Sequence, residues 1–307
     1  MKKRLALLLV AAMSISVLTA CGGSTPQQAA PAEEEAAEEA PAEEATEEAA
    51  TEEAAAEEEG VDAMGAAGDV ADDGDIAYIL EKGKLIVGIT DFAPMDYQEN
   101  GEWVGFDADL ARKVAEDLQV EIEFIEIDWD NKILELENKS IDVVWNGMTL
   151  TDEVKNAMET TNPYLNNAQV VVVKKDGADA YTDVASLADL SFAVEAGSAG
   201  EAAAKENGLT YTAVQTQADS LMEVNAGTSD ACIIDLLMAG AMIGDGTSYA
   251  DLTHTVELTT EEYGIGCRKG SDLAGYINEA LKRYEADGSL EEIATTYGVQ
   301  EALVAQN

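Results

Sequence analysis

Histidine is almost missing from this chain: His254 is the single one in 307 residues. That excludes a histidine-built metal cluster and leaves no partner set for a histidine-based triad. Cysteine is also scarce, at three residues, so there is no disulfide framework. Cys232 and Cys267 each sit in an apolar, strand-like run, where a buried free thiol is expected. Positive charge is short everywhere. Lysine and arginine are absent from Gly22 to Asp75, and residues 76–307 carry 43 acidic side chains against 14 basic ones. The resulting net charge of −29 argues against nucleic acid and against close adhesion to anionic lipid. It weakly favours neutral, zwitterionic or cationic ligands. No internal repeat is visible. No cofactor or metal is expected. The apolar run from Leu5 to Leu18 is marginal for spanning a bilayer of ~30 Å, which takes about twenty residues.

What that run does have is a charged start, Met1-Lys2-Lys3-Arg4, and small residues before Cys21 in Leu18-Thr19-Ala20-Cys21. These are the parts of a secretory signal. They resemble bacterial lipoprotein signals, and the resemblance implies that Cys21 is acylated and becomes the first residue. Export and anchoring to the outer face of the cell membrane through Cys21 would follow. Residues 1–20 are then the signal and 21–75 an acidic tether. From Gly22 to Asp75 there are 14 glutamates and five aspartates, and the apolar content is nearly all alanine. Such a segment cannot bury enough apolar surface to offset the entropy of ordering, so disorder is expected over a rival helix. As a flexible coil its ends would lie roughly 40 Å apart.

The remainder alternates strands with helices. Lys84–Thr90, Glu121–Ile127, Ile141–Trp145, Gln169–Val173, Phe192–Val194, Thr210–Val214, Ala231–Ile234 and Tyr263–Cys267 read as strands. Helices are expected at Asp107–Leu118 with Asp107 as cap, Asp130–Asn138, Thr151–Glu159, Ala199–Asn207, Ala218–Asn225, Leu236–Ile243, Asp272–Asp287 and Ser289–Tyr297. That alternation calls for an α/β fold with mostly parallel sheets and helices on both faces. In such a fold the ligand sits at the carboxyl ends of the parallel strands, where helices begin with free N–H groups.

Taken in order, Val104-Gly-Phe-Asp-Ala-Asp-Leu110, Ile141-Asp-Val-Val-Trp-Asn-Gly-Met-Thr-Leu-Thr-Asp-Glu153, Pro163-Tyr164, Asp230-Ala231 and Tyr263-Gly-Ile-Gly resemble the amino-acid-binding solute-binding proteins of ABC importers. The match spans roughly Gly83 to Tyr297. It implies a two-lobed, hinged periplasmic-binding-protein fold of type 2. Residues 76–170 with 262–307 would form the first lobe and 171–261 the second, with crossings near Ala168–Val173 and Thr259–Gly264. The resemblance also implies a ligand sandwiched by Phe92, two places before Pro94, and by Trp129. Asn146-Gly147-Met148-Thr149 would present the Gly147 carbonyl and the Thr149 hydroxyl and amide to the ligand's polar head, although Thr149 also suits an ordinary helix cap. Ser198 and Ala199, in the turn Gly197-Ser-Ala-Gly200, would offer amides and a hydroxyl to a carboxylate. Asp235, ending a strand, matches the aspartate that takes the α-ammonium. Asp91 either meets an ammonium or caps its turn. Trp145 reads as core.

One family feature is missing. An arginine in the helix after the Gly-x-Thr-x-Thr turn usually grips the α-carboxylate, and Val154 stands there, followed by an exposed Lys155. Arg112, Arg268 and Arg283 fall in no matching position. Either amides and hydroxyls alone hold a carboxylate, or the ligand is not an α-amino acid but a neutral or cationic small molecule. The function implied is capture of a small solute, an amino acid or related amine, by a monomer that serves a separate permease and ATPase. A cleft-carboxylate dehydratase on the same fold and a ligand receptor for signalling are the alternatives.

Overall fold

The computed structural model describes residues 74–307. The signal, Cys21 and the tether as far as residue 73 lie outside the described residues. The expected tether bound at Asp75 is corrected, because Asp75 begins a helix and pairs with Arg268. The described chain opens with helix α1 (Asp75–Lys82) and strand β1 (Lys84–Ile89). A small hairpin, β2 (Tyr97–Glu99) and β3 (Glu102–Val104), leads to α2 (Phe106–Asp117), β4 (Glu121–Glu126), α3 (Lys132–Glu137) and β5 (Val143–Thr149). After α4 (Asp152–Ala157) and the two-residue β6 (Glu159–Thr160) comes β7 (Leu165–Lys174). The next stretch holds β8 (Ser191–Glu195), α5 (Ala199–Glu206), β9 (Thr210–Val214), α6 (Gln217–Ala226), β10 (Ala231–Asp235) and α7 (Leu236–Met242). The long β11 (Leu252–Cys267), α8 (Leu273–Asp287) and α9 (Ser289–Thr296) complete it.

The main sheet runs β4-β1-β5-β11-β7-β10-β8-β9. Its two flanks are parallel, β4-β1-β5 on one side and β10-β8-β9 on the other. Its middle is antiparallel: β11 pairs with β5 through Tyr263–Cys267 and with β7 through Leu252–Tyr263, while β7 pairs with β10 through Gln169–Val173. The fold is therefore the α/β two-lobe type, with β7 and β11 as the strands both lobes share. The edge strands β4 and β9 are partly exposed and carry polar residues. The inner parallel strands β1, β5, β8 and β10 are apolar because both their faces are covered; Leu85, Val87 and Ile89 of β1 are fully buried. Helix α2 lays Phe106, Leu110 and Val114 against them at a spacing of four, which keeps one helical face inward. Trp145 is buried in the core, and Cys232 and Cys267 are buried free thiols.

Three local expectations change. Asp107 does not cap α2. Gly105 is the cap residue, and the Asp107 carboxylate is turned inward, accepting from the Gly147 N–H at 2.6 Å and the Tyr164 hydroxyl at 2.8 Å. The strand expected to end at Trp145 continues to Thr149, because β11 pairs alongside it. Thr149 is consequently no cap either; Thr151 caps α4, accepting from the Val154 N–H at 3.2 Å.

Candidate functional site

Five strand ends meet between the lobes. β1, β4 and β5 deliver Phe92, Trp129 and Gly147–Thr149 from one side; β8 and β10 deliver Glu195 and Asp235 from the other. Together they line a cavity of about 270 Å³. Phe92, Trp129, Asn146, Gly147, Met148, Thr149, Ser198, Ala199 and Asp235, all expected from sequence, share this lining. Asp91 does not. Phe92 is bridged to Asp96 and lines the cavity, whereas Asp91 lies exposed in the bend just before it. Its pKa is raised, first by partial burial of the carboxyl and then by the Asp219 carboxylate.

The aromatic wall is built on glycine. Gly147 has φ +52°, and a Cβ there would lie 2.5 Å from Phe92 Cε1 and 3.0 Å from the Tyr263 ring. A bare Cα lets the Phe92 ring pack against the strand. Phe92 and Tyr263 meet edge to face at 6.4 Å. Met148 and Val154 pack with Trp129 in one apolar cluster, so the tryptophan is fixed from behind while it lines the cavity. Asn146 is committed elsewhere. Its amide donates to Thr90 O and to Asp96, and its Oδ1 accepts from the Thr90 N–H and hydroxyl, which ties the end of β1 to β5.

Asp235 is 4% exposed and surrounded by donors. Tyr263 OH donates to its Oδ1 at 2.7 Å and Gln169 Nε2 at 2.8 Å, with Asn167 on the same oxygen and Gln217 on Oδ2. None of these partners is charged. Burial holds its pKa well above the carboxylate range, and the neighbouring Glu261 adds to the rise while Tyr263 and Gln217 oppose it. Thr149, expected to face a ligand with its hydroxyl, donates that hydroxyl to Glu261 at 2.9 Å. The Ser198 hydroxyl oxygen accepts the Glu201 N–H at 3.1 Å as the cap of α5.

Among the lining residues that sequence reasoning missed, two are buried and ionisable. Glu195 ends β8 as Asp235 ends β10; it is 2% exposed, and burial, then Asp235, push its pKa up to about 8. The signal was a carboxylate closing an apolar strand, the same one that marks Asp235. Lys132, at the start of α3, is 8% exposed and is the only basic side chain lining the cavity among the described residues. Its ammonium lies 4.8 Å from the Trp129 ring centre and donates to Trp129 O at 3.1 Å and, across the lobes, to Gly197 O at 3.0 Å. Burial lowers its pKa, against Glu195 and other acids that raise it. Arg112, Arg268 and Arg283 are spent on Asp109, on Asp75 with Asp142, and on Asp117, all outside the cavity.

The lobes also touch at the cavity's edge. Gln215 donates to Asp128 at 2.8 Å, and a Cβ at Gly197 would lie 2.8 Å from the Asp130 Cα.

Comparison with known proteins agrees with this architecture. The model of the bacterial extracellular solute-binding proteins, family 3, matches residues 85–300. The arginine-binding extracellular protein ArtP of Bacillus subtilis is 34% identical over 225 residues, covering 69% of this chain and 85% of ArtP. Among solved structures, a substrate-binding protein of an ABC uptake transporter from Streptococcus pneumoniae with bound histidine has a TM-score of 0.69 at 28% identity, covering 76% of this chain and all of that one. The ancestral amino acid-binding protein AncCDT-1, described as a precursor of cyclohexadienyl dehydratase, has a TM-score of 0.66 at 32% identity and covers 72% of this chain and 98% of its own. With the family model spanning more than half its length and a two-lobed cavity in place, this chain belongs to the bacterial extracellular solute-binding proteins of family 3.

Proposed function

We propose that the protein captures an amino acid or related amine between its lobes and presents it to an ABC importer, whose permease and ATPase are separate proteins. The observation that carries this reading is a cavity bounded by Phe92 and Trp129 on one lobe and by buried Asp235 on the other. Two rings suit the apolar or planar part of a solute. A buried carboxylate with only neutral donors around it suits an ammonium, which would offset the cost of keeping that charge from water. A solute touching both lobes stabilises the closed arrangement over the open one, because only the closed form offers contacts from both sides. The shared strands β7 and β11 are where such a hinge would bend. The arginine- and histidine-binding relatives support the solute class. The sequence features at Cys21 support an outer-face lipid anchor and those of 22–75 a spacer from the membrane.

A thermal-shift screen of the full chain against all common amino acids and simple amines tests this. A solute at a hundred times its Kd stabilises the native state by about 2.7 kcal/mol. At least one amino acid or amine should raise the melting temperature; none doing so would count against the reading.

A second reading has one observation behind it. Glu195 holds a proton near neutrality inside the cavity, as a general acid must, and AncCDT-1 is described as a dehydratase precursor. A dehydratase would turn over a prephenate-like cyclic acid; a binding protein would leave it intact.

A further inference from the structure

Glu195 and Asp235 stand at the ends of adjacent parallel strands, but their surroundings differ. Both oxygens of Asp235 have hydrogen-bond donors, whereas Glu195 Oε1 has no partner although the residue is 2% exposed and lines the cavity. The ammonium facing it, Lys132, is committed to two carbonyls and the Trp129 ring, and it makes no ion pair with Glu195. A buried carboxyl with a free oxygen at a cavity wall needs a donor from whatever fills the cavity. The buried ionisable side chains of the lining are two carboxyls and one ammonium, so a solute of one net positive charge balances them.

We infer that Glu195 is a second ligand carboxyl, taking a protonated nitrogen distinct from the one at Asp235, so that the preferred solute is a dibasic amino acid. This rests on the solute-binding reading above. It also gives the site a proton balance. Burial, Asp235 and Asp219 raise the pKa of Glu195 to about 8, with Lys132 and Gln217 opposing. At neutral pH the empty site therefore keeps a proton on Glu195. An arriving cation favours the ionised form, and the proton leaves to solvent as the solute docks. A neutral solute leaves that proton where it is.

Calorimetry on the full chain at neutral pH tests this with two matched pairs, L-arginine against L-citrulline and L-lysine against L-norleucine, each in two buffers of different ionisation enthalpy. In one pair the basic member should bind more than about tenfold tighter than its neutral partner, a difference of about 1.4 kcal/mol, with proton release. E195Q should shrink that preference several-fold and abolish the extra proton release that the basic member shows over its neutral partner. Neutral members binding as tightly as basic ones, or a preference that E195Q leaves intact, would overturn the inference and leave the solute-binding reading standing. Binding of no amino acid at all would remove both. If E195Q does not fold, the wild-type ratio and proton count decide the matter alone.

Discussion

Asp235 and Glu261 draw on the same two donors: Asn167 Nδ2 and Gln169 Nε2 each bond to Asp235 Oδ1 and to Glu261 Oε1. Glu261 lies on β11 and also receives the Thr149 hydroxyl, so the cavity's central acid is wired to a strand shared by both lobes and to the opposite lobe through one amide pair. The two carboxyls compete for these donors and repel one another, and Glu261 raises the pKa of Asp235.

Removing that like charge has a definite sign. Binding of an ammonium needs Asp235 ionised, so it is lost as pH falls through the raised pKa of the aspartate. E261Q lowers that pKa and should move the loss of amine binding to lower pH. Affinity measured against pH in both proteins checks it; coincident profiles would contradict the coupling.

The ligand-free protein should respond to pH in an unusual direction. Glu195 has a folded pKa of about 8, against the ordinary 4.5 of an unburied glutamate. Between those values the folded state binds more protons than the unfolded one, so this group's contribution to stability falls as pH rises through the window. The melting temperature of the empty protein should therefore be higher near about pH 6 than near about pH 8, and E195Q should flatten the slope. Calorimetric melts across the window check it, and an equal slope in E195Q would contradict it.

Gly197 should matter for closure more than for folding. Its φ is +69°, and an added Cβ would meet the Asp130 backbone of the facing lobe at 2.8 Å. Gly208 has φ +65° and nothing within 4 Å, so it carries the backbone strain without the clash. Each alanine variant should lose about 1 kcal/mol of stability. Only G197A should weaken solute binding, by about tenfold or more. Similar affinities in the two variants would show that the lobes do not close on Gly197.

Lys132 should matter for closure and for stability alike. K132M removes an ammonium whose bond to Gly197 O joins the lobes, and charged hydrogen bonds contribute about 1.5–3 kcal/mol. Solute affinity should fall by about tenfold or more. Melting temperature should fall as well, because the Trp129 and Gly197 carbonyls lose their donor. Unchanged affinity would remove Lys132 from the binding machinery.

The sequence makes Asp235 legible because an acid closing a four-residue apolar run has few places to go but a strand end at the ligand side. Glu195 carries the same mark after Phe192–Val194, but the family resemblance in this stretch lies in the turn that follows, Gly197-Ser-Ala-Gly200, and points to Ser198 and Ala199 instead. Lys132 could not be read, since at the first position of a short helix a lysine is ordinarily solvated; here it lies over the Trp129 ring and reaches Gly197 O of the facing lobe. Asp91, which could equally meet an ammonium or cap its turn, stands in an exposed bend outside the lining, a placement that residue type alone does not set. The alternating strands and helices were readable from apolar periodicity. The full reach of β11 was not, because Leu252–Glu262 is half exposed and polar, and only its pairing with β7 holds it as a strand.

The most direct test of the account is calorimetric titration of the full chain and of D235N with the amino acid or amine found in the screen. Asparagine keeps the shape at 235 and removes the charge that pairs with an ammonium, a loss of about 2–5 kcal/mol for a buried charged contact. The account predicts tight binding to the wild-type chain and a fall of at least about thirtyfold in D235N. Equal affinity in the two proteins would contradict it.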